Sequence, residues 1–160
     1  VMLSVLGVPG IYFHSLFGSR GWREGVQQSG HNRTINRQKF TRPELEAELA
    51  APTTIRHRIF TAYTHLLRTR AAQPAFDPYG LMTVLDAGEQ VFALLRTSPQ
   101  GPPVLCLQNV SGQSQQMDPK ITNPLGGDPS RFVELLTGQP VGPGLLSLVP
   151  YQTMWLTRLK

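Results

Sequence analysis

The sequence opens VMLSVLGVPGIYF (Val1–Phe13) and, after a polar stretch, runs NRTINR (Asn32–Arg37). The opening run carries no charge, does not alternate, and is punctuated by Gly7, Pro9 and Gly10. A short continuous apolar run bounded by Gly and Pro reads as a strand buried on both faces. Such strands occur mainly in parallel sheets covered by helices, and each needs neighbouring strands to satisfy its backbone. No earlier residues of the chain supply those neighbours, so the expectation is a core strand from the tail of a larger protein. The run lacks the basic n-region and cleavage site of a secretory signal. Its thirteen residues are also short of the roughly twenty that a membrane span requires.

The 160 residues can hold one ordinary domain, or one small domain with a remnant of another. An apolar content of 40% and a mean hydropathy of −0.17 are those of a globular chain. The single cysteine, Cys106, excludes an internal disulfide and a cysteine-based zinc site. Its setting, VLCLQNV, makes it a small buried strand residue. With no disulfide framework and no leader, the expected location is cytoplasmic.

The net charge of +5 raises nucleic acid as a partner, but the excess is local. Between Arg20 and Arg70, nine Arg and one Lys stand against four Glu, and the remainder is close to neutral. That segment has no interleaved aromatic platform and no nucleic-acid module signature, so no nucleic-acid partner is expected.

Residues 14–40 are polar, contain glycine and show no period, and read as a long loop of the kind that carries function. Thr41-Arg42-Pro43-Glu44 has the capping-box form, and a short helix is expected over 43–50. A second is expected over 53–72, with Ile55, Ile59, Phe60, Tyr63, Leu66 and Leu67 on one stripe. Arg56, Arg58, Arg68 and Arg70 fall mostly off that stripe and read as a solvated face, with the last two favouring the helix dipole. From Tyr79 the period becomes two. Strands are expected over 81–86, 90–97, 104–110, 114–117, 132–136 and 151–159, separated by Gly-Pro clusters, which together suggest an antiparallel sandwich.

Chemistry is sparse. His14, His31, His57 and His65 have no metal-ligand spacing, so no metal is expected. No nucleophile motif, dinucleotide fingerprint or phosphate loop appears. The acids are scattered and do not form the carboxylate pair that glycosidic chemistry needs. No catalytic residue is therefore assigned within the chain. What remains is the loop after the first strand: if Val1–Phe13 is a strand of a β/α barrel, Tyr12, His14 and the residues to Arg37 emerge at the face where such barrels bind ligands. Arg33 and Arg37, with Asn36 between them, are placed to bond sugar hydroxyls or phosphate oxygens. Equally, Asn36 and Arg37 can brace the loop through its carbonyls, and for Arg33 both readings stay open.

On these residues the sequence resembles the α-amylase family. GVPGIYF is similar to the eighth barrel strand of that family, where G-x-P-x-x-Y-[YF] recurs. NRTINR resembles the R-D-I-N-R element of its sucrose phosphorylase branch. His14-Ser15-Leu16 with Gly18-Ser19-Arg20 is closer to the sucrose-6-phosphate and glucosylglycerate phosphorylase-like members. LLRTRAAQPAF looks like the last barrel helix, and FALLRT, VLCLQNVSG, ELLTG and YQTMWL look like strands of the C-terminal β-domain. The resemblance implies a retaining mechanism with an Asp nucleophile, a Glu acid/base and a second Asp, all expected upstream of Val1. It implies sugar and inorganic phosphate as partners, no cofactor, and a sugar contact for Arg33. Thr34 replaces the family's Asp.

The expected fold is thus an α+β piece, the last strand and helix of a (β/α)8 barrel (1–76) followed by an all-β antiparallel sandwich (77–160). The expected function is transfer of a glucosyl group from an α-glucoside to phosphate, with the 160-residue chain itself inactive. Alternatives are a hydrolase or transglucosidase of the same family, and a non-catalytic sandwich binding carbohydrate or protein. For the last, Trp22 is the candidate exposed platform, whereas Trp155 reads as core. An exposed apolar strand at the start would also promote self-association, with a chain beginning near Thr41 better behaved.

Overall fold

The computed structural model describes residues 1–159. The chain packs as two compact units, Val1–Pro9 with Leu67–Lys160, and Gly10–Leu66. The first nine residues and the end of the long helix share a unit with the β-rich part.

The β-rich unit is built on β1 (Leu81–Leu85), β2 (Val91–Ser98) and β3 (Gly101–Asn109). β4 (Gln115–Met117), β5 (Phe132–Glu134), β6 (Pro140–Val141), β7 (Leu146–Leu148) and β8 (Thr153–Arg158) follow. Six of them form one sheet in the order β1-β2-β3-β8-β5-β6, and β4 pairs with β7 in a separate ribbon. Every pairing is antiparallel. The period-two pattern foresaw six of these strands; β6 and β7 were missed because they are only two and three residues long and sit among Gly and Pro. Alternation sorts the side chains cleanly. Val91, Ala93, Leu105, Leu107, Met154 and Leu156 share a core with Met117, Leu146 and Leu148 of the ribbon. Cys106 and Trp155, as expected, are fully buried.

Leu94, Arg96, Val104, Cys106 and Trp155 point to the opposite face, which is buried as well. The Phe76 ring packs on Trp155 at 4.8 Å, and Leu3 and Ser4 are buried. Here the expected first strand is corrected. Residues 2–7 form turns and bends and no strand runs through residues 1–10, and Gly7 takes φ +97°, outside the extended region of a regular strand. Without a neighbouring strand, the segment's carbonyls need other donors. Two arginines provide them. Arg70 donates to Leu3 O and Gly7 O, both at 2.7 Å. Arg96 donates to Ser4 O (3.2 Å), Val5 O (2.8 Å), Asp77 O (2.9 Å) and Leu81 O (3.2 Å). Both guanidinium groups also lie over the Phe76 ring, at 4.9 and 5.6 Å.

Neither arginine has a carboxylate partner among these contacts. Burial pushes both guanidinium pKa values down, with the charge of Arg96 adding to the effect at Arg70. Arginine nevertheless stays protonated in proteins. The solvated-face reading thus fails for Arg70, which sits at the buried end of its helix. The premise of an exposed strand is corrected too: Leu3 and Ser4 are covered, while Val1, Met2, Leu6 and Val8 are exposed. A chain beginning at Thr41 would lack four of the carbonyls that Arg70 and Arg96 hold, those of Leu3, Ser4, Val5 and Gly7.

The helical unit contains α1 (Phe13–Leu16), α2 (Arg23–Ser29), a 3-10 turn (Asn32–Asn36) and α3 (Arg42–Ala50). α4 (Ile55–Ala71) contributes its residues up to Leu66. The expected long loop is therefore mostly helical in short pieces. Its glycines explain why the pieces were illegible: Gly30 ends α2 in the left-handed conformation (φ +68°), and Gly18 turns at φ +60° where a side chain would strike Ile59. The capping box of α3 is present as read, Thr41 accepting from the Glu44 amide and the Glu44 carboxylate accepting from Thr41. Those bonds to the ionised form lower the Glu44 pKa. Phe17 stacks on Phe60 of α4 at 5.3 Å, nearly parallel.

Two outcomes follow from the buried face. Arg96→Met removes four hydrogen bonds to carbonyls, of which Asp77 O keeps another donor, the Gly80 amide. It is expected to cost roughly 2–5 kcal/mol, read as a lower urea midpoint; a loss within about 0.5 kcal/mol would refute the clamp. Burial pushes the Cys106 thiol from 9.0 up to about 12. Its contribution to stability is therefore complete below pH 9 and is lost as pH rises toward 12. Thiol-reactive dye at pH 8 should label it only as fast as the chain unfolds.

Candidate functional site

The five residues singled out by sequence all lie in the helical unit. Tyr12 directly precedes α1, and its hydroxyl donates to Asn36 O at 2.7 Å. His14 lies within α1; its ring meets those of Tyr12, Phe13 and Phe40 edge-on, with centroids 5.3–5.6 Å apart. Arg33 and Asn36 sit on the 3-10 turn, and Arg37 caps it, its amide bonding Thr34 O. The structure therefore brings Tyr12, His14 and Asn36 together. Arg33 and Arg37 are exposed, and among the described residues their guanidinium groups make no hydrogen bond or ion pair.

The brace of this region is a residue the sequence placed on a solvated face. Arg56, at the start of α4, forms an ion pair with Glu48 at 2.6 Å while its own side chain is only 11% exposed. It also donates to Phe17 O (3.1 Å) and Ser19 Oγ (3.0 Å) and lies 4.2 Å over the Phe40 ring. Ser19 Oγ lies 3.0 Å from His14 Nδ1. With Ser19 accepting from Arg56, its own proton is available to His14 Nδ1, which favours the tautomer protonated on Nε2. Carbonyl bracing thus falls to Arg56 and Tyr12. The signal available in the sequence was slight, a basic residue beside the apolar stripe position Ile55.

Trp22 is half-buried. It packs on Gly25, where any side chain would collide with the indole, and its amide donates to Ile35 O at 2.7 Å. Beside it lies a cavity of about 400 Å³ lined by Arg20, Trp22, Glu24, Gln38, Glu48 and Arg56, with Gly18, Gly21 and Ile55. None of the five predicted residues lines it. A larger cavity, about 490 Å³, lies in the β-rich unit where Arg131 and Arg158 flank Pro99–Pro102. Among the described residues no group of three or more His, Cys, Asp or Glu is placed to hold a metal ion. Nor is any helix long and apolar enough to cross a membrane.

No family model matches the chain. Curated relatives do. It is 45% identical over 166 residues to the glucosylglycerate phosphorylase of Spirochaeta thermophila. The chain is a homologue of part of a glucosylglycerate phosphorylase. Phosphorylases of the same name from Allomeiothermus silvanus and Escherichia coli are 37% and 33% identical, and each match covers 98% of the chain. The chain spans about a quarter of the length of these phosphorylases, 28%, 25% and 26%. Among solved structures, AmyP bound to maltotriose superposes with a TM-score of 0.54 over 65% of the chain and 22% of its own, at 22% identity. AmyP bound to maltose gives the same score over 64% of the chain and 21% of its own. At that identity the likeness concerns the fold alone.

Arg56→Ala removes the ion pair, two hydrogen bonds and the ring contact at once. It is expected to cost roughly 1–3 kcal/mol and to speed amide hydrogen exchange through 13–19. Arg56→Lys should recover less than half of the loss, because one ammonium cannot reproduce the fork; full recovery would show that charge alone suffices.

Proposed function

We propose that the chain is the C-terminal part of a retaining α-glucoside phosphorylase that moves a glucosyl group to inorganic phosphate. The observation that carries this reading is the 45% identity to a glucosylglycerate phosphorylase across 98% of the chain. In this reading residues 1–76 belong to the end of a catalytic barrel and 77–160 to its β-domain. The nucleophile, the acid/base and the stabilising acid belong to other parts of the polypeptide. Glucosylglycerate is the favoured donor, because three relatives bear that name. The enzyme would act in the cytoplasm without a metal or cofactor.

Within this chain Arg33 is the principal substrate contact. Its exposed guanidinium can bond vicinal sugar hydroxyls or phosphate oxygens without first breaking a protein contact. Tyr12 and His14 shape the adjoining wall, held by Asn36 O and by Ser19. Asn36 and Arg37 extend the polar edge. The exposed apolar residues Val1, Met2, Leu6 and Val8 would give the isolated chain a tendency to self-associate.

The test is release of glucose 1-phosphate by the full-length polypeptide from glucosylglycerate, sucrose and sucrose 6-phosphate, with and without phosphate. Phosphate-dependent product from glucosylglycerate is expected, and free glucose regardless of phosphate would overturn the reading. Arg33→Ala should lower kcat/KM on the order of 100-fold; an unchanged value would remove Arg33 from the site.

A further inference from the structure

The cavity of about 400 Å³ beside Trp22 is lined by four charged side chains. Arg56 and Glu48 are committed to each other at 2.6 Å. Arg20 and Glu24 are not: among the described residues neither makes a hydrogen bond or an ion pair, and the Gln38 amide makes none either. The spacing of Arg20 and Glu24 is that of a helical ion pair, four residues apart. Helix α2 begins only at Arg23, however, so the geometry that joins such pairs is not available to them. A cation and an anion therefore line the same space without neutralising each other, beside an indole.

Each class of ligand can be weighed against that lining. A simple anion would be drawn to Arg20 but opposed by Glu24, and a simple cation would meet the reverse. An apolar ligand would strip water from both charges and return nothing. An uncharged polar ligand would forgo the charge-assisted bonds, which are roughly twice as strong as neutral ones. A molecule that carries a carboxylate and a cationic nitrogen on one short skeleton meets none of these objections. We propose that this cavity binds a small zwitterion of the amino-acid or betaine type. Its carboxylate takes the forked donors of Arg20. Its cationic nitrogen lies between the Glu24 carboxylate and the Trp22 indole, which attracts a cation through its ring. The Gln38 amide, donor and acceptor at once, can bond either end.

The frame that carries these groups is braced. Trp22 packs on Gly25, where a side chain would collide with the indole, and its amide donates to Ile35 O at 2.7 Å. Gly21 brings the chain so close to Ile35 that an added Cβ would lie 3.1 Å from it. Arg56 is fixed by Glu48, Phe17 O and Ser19 Oγ. Only Arg20, Glu24 and Gln38 have to order when a ligand enters, which limits the entropic cost of binding. The pairing of Arg56 with Glu48 also leaves the charge pattern to Arg20 and Glu24, one of each sign. None of Tyr12, His14, Arg33, Asn36 and Arg37 lines the cavity, so zwitterion binding stands or falls separately from phosphorolysis.

The experiment is calorimetric titration of the full-length polypeptide with glycine betaine and with L-alanine at low salt, with choline and acetate as the separate halves of such a ligand. Saturable binding of at least one zwitterion is expected. Arg20→Gln and Glu24→Gln should each weaken it about 10-fold or more, and Trp22→Phe should weaken it less. Arg20 and Glu24 are exposed and make no protein contact that the changes would remove, so both variants should fold; equal urea midpoints check this. Absence of saturable binding by both zwitterions would overturn the proposal. So would zwitterion binding unchanged in either charge variant. Choline or acetate binding as tightly as the zwitterion, and lost in the same variants, would also overturn it, because the site would then read a single charge.

Discussion

Backbone carbonyls that no strand can satisfy are the constraint on which the β-rich unit depends. The opening segment is apolar enough to be buried but too interrupted by glycine and proline to extend a sheet. Buried carbonyls must find donors, and an orphaned one costs as much as a lost hydrogen bond. Arg70 and Arg96 supply those donors, one at the end of α4 and one from within β2. Six carbonyls receive their hydrogen bonds in this way. The arrangement also explains why two buried cations are tolerated with no ion-paired carboxylate among the described residues, Asp77 helping Arg96 only through its charge. The partial charges of several carbonyls and the face of Phe76 together replace the water that each guanidinium gives up.

The same device recurs, smaller, in the helical unit. Arg56 reaches Phe17 O, Ser19 Oγ and Glu48 while lying on Phe40. In both units the planar fork of arginine ties irregular backbone to a regular element. That use accounts for part of the arginine excess, which composition alone would assign to an anionic partner. Arg70 and Arg96 are structural, Arg56 is an organiser, and among the described residues the guanidinium groups of Arg20, Arg33 and Arg37 have no hydrogen-bond or ion-pair partner. The charge of this segment thus divides into groups that hold the chain and groups available to a ligand.

How much was legible depended on the range of the signal. The capping box at Thr41 and Glu44 is a contact over three residues, and it was read correctly together with the helix it starts. The β2–β3 core strands declared themselves by alternation, and the placing of Cys106 and Trp155 inside followed from it. The short strands β6 and β7 carry too few residues to show a period. The pieces of helix between Phe13 and Asn36 are likewise shorter than the windows from which amphipathicity is read. Tyr12, His14 and Asn36 were named as site residues and are joined in the structure, but the partner that braces them, Arg56, was set aside. Its contact with Phe17 spans 39 positions, and no local pattern encodes that.

By itself the sequence determined the antiparallel β character of residues beyond 80, the two longer helices, the burial of the lone cysteine and a phosphorylase-like kinship. Each of these rests on short-range periodicity, capping chemistry or a recognisable run of residues. Only the tertiary structure decided that the apolar opening is a clamped coil, that Arg70 and Arg96 are interior residues, and that a polar cavity forms beside Trp22. The physical reason is the same in all three. Whether an apolar run becomes a strand, or an arginine a surface charge, depends on which hydrogen-bond partners the rest of the fold brings within about 3 Å.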